Sequence, residues 1–84
     1  MATFKRDFVF NENIKEIIAA NVIKYRKQAG ITQEQLAVDI SMSPDYLRRF
    51  ESQKGKEGIS LYRLYQISIV LNTSMDKFFE EEID

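Results

Sequence analysis

Residues 31–51 read ITQEQLAVDISMSPDYLRRFE, and the parsing of that stretch decides the fold. Residues 32–40 place apolar Leu36, Ala37 and Ile40 on one face, at the offsets of three and four that a helix brings together. Residues 43–52 do the same with Tyr46, Leu47 and Phe50. Only Ser41 and Met42 separate the two patterns, so the joining turn is too tight to be a flexible linker. Two helices made to cross so abruptly form a helix-turn-helix, whose second helix has the width to fill a DNA major groove.

The flanks share the helical period. Ile14, Ile17, Ile18, Val22 and Tyr25 predict a first helix of about fifteen residues, with Asn13 and Glu16 as its cap and Ala29-Gly30 as its stop. Thr32 with Gln35 three residues later is a capping-box pattern for the second helix. Ser43 then serves as N-cap for the third, with Pro44 at the first helical position, where a missing N–H costs nothing. The polar run SQKGKEG at 52–58 reads as a loop. Ser60 opens a fourth helix carrying Leu61, Leu64, Ile67, Ser68 and Leu71 on one side, and Asn72-Thr73-Ser74 breaks it. A short fifth helix over 75–82 supplies Phe78 and Phe79. Residues 1–13 form an N-terminal arm, read either as a short strand or as an ordered extension. Its Phe4, Phe8 and Phe10 are expected to pack on this domain or on a partner chain. The expected fold is thus all-α, a compact five-helix domain over 14–84 behind a short arm.

Composition narrows the function. Eighty-four residues support one modest core. The absence of cysteine excludes disulfides and thiolate chemistry, and the absence of histidine removes the commonest general base and metal ligand. The carboxylates show no catalytic pairing. No enzyme activity, cofactor, metal or small-molecule substrate is expected. No apolar run approaches the roughly 20 residues of a membrane span, and MATFKRDFVF lacks the apolar stretch of a secretory signal. A cytoplasmic location is therefore expected. The formal net charge of −1 is unlike that of basic nucleic-acid modules. Residues 76–84, however, hold five acids against one lysine, about −4, which leaves about +3 elsewhere. Lys24, Lys27, Arg48, Arg49, Lys54 and Lys56 cluster in the motif region.

Together, the runs IKYRKQAGITQEQLA, S-x-S-x-D-Y-L-x-x-F-E and I-S-L-x-x-L-x-x-I-S-x-x-L-N-T-S-x-x-x-F-F resemble the lambda-repressor-like, or Xre/Cro-type, helix-turn-helix DNA-binding family. The resemblance covers residues 14–79, and the order and spacing of the three pieces make it specific. It implies double-stranded DNA as partner, insertion of helix 43–52 into the major groove, and transcriptional regulation, with repression as the expected form. By the same resemblance Gln33 would contact phosphate. Ser43, Pro44 and Asp45 fall at the tip of the recognition helix, with Arg48 and Arg49 one turn later, and Lys54 and Lys56 in the loop that follows. Arg26 and Glu51 fall where relatives hold a charged pair between the first and third helices. The chain also departs from the family. Ser41 stands at a turn position usually held by glycine, the loop at 51–60 is about two residues longer than usual, and Pro44 and Asp45 replace amide side chains. Proline has no hydrogen bond to offer a base, and an aspartate accepts only, most naturally from cytosine N4. Direct readout is left to the arginines.

Several alternatives stay open at this level. Arg48 and Arg49 either contact DNA or form a solvated helix face, with Asp45–Arg49 as a pair at i, i+4. Tyr62, Tyr65 and Ile69 form a second apolar face on the fourth helix, either covered by the arm or used as a dimer surface. A homodimer would suit a palindromic operator. The acidic tail reads as a solvated terminus, or else as a partner-binding or self-inhibiting segment. The competing function is a protein-interaction module, antitoxin-like or antirepressor-like, on the same scaffold with little DNA binding.

Overall fold

The computed structural model describes residues 5–52 and 57–81. Four α-helices follow in order: α1 (Ile14–Gln28), α2 (Gln33–Asp39), α3 (Pro44–Ser52) and α4 (Leu61–Val70), and a 3-10 turn, Met75–Phe79, closes the bundle. The fold is all-α, with no strand among the described residues. The core is the apolar stripe of each helix: Val22 from α1, Leu36 and Ala37 from α2, Leu47 and Phe50 from α3, Leu64 and Ile67 from α4, and Phe78 from the closing turn. In this packing α1 lies against the 3-10 turn and α3, while α2 lies against α3 and α4. The ring of Tyr25 meets Phe78 edge-on at 5.9 Å.

Three helices stop by one device. At the end of α1 the Gly30 N–H donates to the Lys27 carbonyl and the Ile31 N–H to the Arg26 carbonyl, at 3.0 and 3.1 Å. At the end of α2, Ser41 and Met42 repeat that pattern onto Val38 and Ala37. At the end of α4, Asn72 and Thr73 repeat it onto Ile69 and Ser68. Each is a Schellman motif, which needs a left-handed residue at its pivot. The pivots are Gly30, Ser41 and Asn72, at φ 71°, 55° and 50°. Glycine meets this demand freely and asparagine tolerates it, whereas serine bears a cost of about 1 kcal/mol. The tight turn of the motif is thus held with serine where glycine is easier. A guanidinium N–H of Arg63, on α4, donates to the Ile40 carbonyl beside it and braces the crossing.

The helix starts follow the sequence with one correction. The hydroxyls of Thr32, Ser43 and Ser60 accept the N–H of Gln35, Tyr46 and Arg63 respectively. The capping box of α2 is half made, because the Gln35 amide turns to Asp39 at 2.7 Å. Asn13 makes no side-chain cap on α1, contrary to expectation. Its backbone, at φ −92° and ψ 13°, is not in the extended shape that aims a capping side chain. Asn11 does the work from two residues upstream, its Oδ1 accepting the Asn13 N–H at 2.9 Å.

Two further expectations are corrected, and one of the alternatives for the arm is removed. The fifth helix is a 3-10 turn ending at Phe79 rather than an α-helix to 82. The buried Asn21 amide donates to the carbonyls of both Phe78 and Glu80 at 2.8 Å, drawing the backbone out of helical pairing. Leu61 is exposed, not part of the core stripe. As the first residue of α4 its side chain leans towards the helix N-terminus, past the last packed turn. The arm has no strand among its described residues, and Phe8 and Phe10 are exposed, their rings 6.1 Å apart. Phe4 lies outside the described residues.

Candidate nucleic-acid interface

Two polar clusters frame α3. The inner one is built on Glu51, which faces α1 from the buried side of the helix. Arg26 donates to it twice, from Nε to Oε2 at 3.0 Å and from Nη2 to Oε1 at 2.9 Å. Gln33 Nε2 adds a third bond to Oε1 at 2.9 Å, and Arg26 Nη1 reaches the Ile31 carbonyl at 3.0 Å. One carboxylate thus ties α1, the start of α2 and α3 together. A fork-to-fork pair buried this deeply is costly to break from one side.

Residues proposed for DNA contact lie on the opposite side of α3. Ser43, Pro44, Asp45, Arg48 and Arg49 are all exposed. The expected Asp45–Arg49 pair is not formed. Asp45 Oδ1 accepts from Arg48 Nη1 at 2.5 Å, one residue closer, because Arg49 has a different carboxylate. Its Nε donates to Glu57 Oε1 at 3.0 Å, from the loop beyond α3. The same guanidinium lies 5.7 Å from the Tyr46 ring centre, within cation–π range. Tyr46 in turn donates its hydroxyl to the Gly58 carbonyl at 2.6 Å, stapling that loop to the helix. Gln33 is half-buried at the edge of this surface, with one amide hydrogen given to Glu51 and the other left for a further acceptor. Lys54 and Lys56 lie outside the described residues.

A separate apolar face lies on α4. Leu61, Tyr62, Tyr65 and Ile69 are exposed, so the arm residues described here do not cover them. Among the described residues no group of His, Cys, Asp and Glu could hold a metal, and no helix is long and apolar enough to cross a membrane.

Sequence reading did not single out Asn21, Glu57 and Arg63. Asn21 carried a signal, being polar on the inward stripe of α1, three residues beyond Ile18. Glu57 and Arg63 carried none, because each acts on a residue of another element.

The sequence model of the family described as Helix-turn-helix matches residues 22–78. No curated protein matches the chain. Among solved structures, the N-terminal DNA binding domain of SinR from Bacillus subtilis is similar at 25% identity and a TM-score of 0.71, over 82% of this chain and 99% of that one. The clp gene regulator ClgR from C. glutamicum is similar at 26% identity and a TM-score of 0.68, over 77% of this chain and 82% of that one. Hydroxypropylphosphonic acid epoxidase from S. wedmorenis shares the fold at 23% identity and a TM-score of 0.71, over 83% of this chain but 36% of the enzyme. The same scaffold therefore also occurs as a minority part of a larger protein.

Proposed function

The chain belongs to the lambda-repressor-like helix-turn-helix family, and from that premise we propose that it is a sequence-specific DNA-binding transcriptional regulator, acting as a repressor. The carrying observation is the division of α3 into two faces. Leu47, Phe50 and Glu51 anchor it inward, and Asp45, Arg48 and Arg49 stand outward in solvent. A helix fixed on one side and bearing two exposed arginines on the other is suited to the major groove. Arg49 reads a base, while Gln33, Ser43, Arg48 and the lysines of the following loop set the helix on the phosphates. Similarity to SinR and ClgR supports the regulator reading.

A single domain of this charge binds weakly alone, and a homodimer through Tyr62, Tyr65 and Ile69 would supply the second half-site contact. Exposure of that face also favours a second reading, in which the fold serves as an antitoxin-like or antirepressor-like interaction module.

The test is binding of labelled duplexes, including the protein's own promoter region, at two salt concentrations. Wild type is expected to bind with clear salt dependence. Arg48→Ala/Arg49→Ala should weaken binding by at least tenfold and flatten the salt slope by about 1 for each phosphate contact removed. Binding without salt dependence, or none, overturns the regulator reading in favour of the interaction module. Equal binding by the double variant overturns the site.

A further inference from the structure

We infer that Glu57 is a positioning residue that aims Arg49 at guanine, an inference that rests on the DNA-reading role of α3 proposed above. A guanidinium has five N–H donors, of which Nε offers one and the two Nη groups four. Glu57 takes the Nε donor alone, and the Nη groups of Arg49 make no hydrogen bond among the described residues. The end of the side chain is therefore left open while its stem is held. That open end matches the O6 and N7 acceptors guanine presents in the major groove. Tyr46 limits the guanidinium from its ring face, and the Tyr46–Gly58 bond keeps the Glu57 loop against α3. Three groups thus fix one arginine whose distal end is without a hydrogen bond among the described residues.

Stability gives no sufficient reason for this clasp. Arg49 is 53% exposed and Glu57 24%, and an ion pair with one partner this open to water contributes only modestly to folding. Glu57 carries a cost in addition, because its Oε2 is buried without a hydrogen-bond partner among the described residues. A carboxylate near DNA also repels phosphate. The arrangement adds little to folding and opposes non-specific affinity, and it is accounted for by orientation: an arginine held in its bound pose loses less freedom on contact.

Charge and aim make opposite predictions, so they separate cleanly. Duplexes are first selected from a random-sequence pool by wild-type protein, and binding is then compared on a selected and a scrambled duplex of equal length. If Glu57 acts only as a charge, Glu57→Gln and Glu57→Ala tighten both duplexes alike. If Glu57 aims Arg49, the preference for the selected duplex falls about tenfold in Glu57→Ala. It falls less in Glu57→Gln, whose amide oxygen still accepts from Nε, and this variant also guards against a folding defect. In an Arg49→Ala background, Glu57→Ala should then change the preference by less than about twofold. Wild-type preference retained in Glu57→Ala overturns the inference, as does an undiminished effect in the Arg49→Ala background. Failure of wild type to select or bind any duplex overturns the regulator reading itself.

Discussion

Arg26 and Arg49 are each gripped through Nε by a glutamate oxygen at 3.0 Å, yet the two bonds serve different ends. Arg26 is 12% exposed and gives one further donor from each Nη, to Glu51 and to the Ile31 carbonyl. Arg49 is 53% exposed, and its distal donors make no hydrogen bond among the described residues. The first pair joins elements, and the second, on the reading proposed above, prepares a side chain for DNA. Burial and donor count, more than distance, set the two pairs apart.

The contrast can be broken from its buried side first. Glu51→Ala leaves the Arg26 guanidinium buried without its carboxylate and strips Gln33 of its partner, with an expected loss of about 3–5 kcal/mol. Chemical denaturation would measure it, and a loss below about 1 kcal/mol would show that the inner cluster does not hold the helices together. Glu57→Ala, by the same measurement, is expected to change stability by no more than about 1 kcal/mol. A loss as large as that of Glu51→Ala would erase the distinction between the two pairs. Smallest is Asp45→Asn, which removes a solvent-exposed partner of Arg48 at i, i+3 and should cost a few tenths of a kcal/mol in stability. The freed arginine and the lost repulsion should strengthen DNA binding most at low salt, an effect that vanishes towards 1 M. A salt-independent change would place Asp45 in direct base contact.

The scaffold was legible because its signal is periodic. Leu36, Ala37, Leu47 and Phe50 recur at helical spacing and are all buried, and the proline after Ser43 marks the start of α3. The need for a left-handed residue between α2 and α3 was legible too, and Ser41 adopts it. Interactions between distant segments were not. The Asn21 amide converts an expected α-helix into a 3-10 turn from 57 and 59 residues away, a distance no local pattern spans. The exposed arginines of α3 could be read from spacing, but their partners could not. Asp45 pairs at i, i+3 because Glu57, eight residues from Arg49 and across a loop, offers the second arginine another carboxylate. The Arg63 brace on Ile40 escaped notice for the same reason.

The repeated helix stops carry a consequence for how such a domain diversifies. The angle at which α3 leaves α2 is written in main-chain hydrogen bonds around Ser41 and secured by Arg63, with no contribution from Asp45, Arg48 or Arg49. Those three side chains are like interchangeable bits in a fixed chuck. A lineage can retool the outward face of α3 without renegotiating the mount that presents it, and a protein engineer inherits the same freedom.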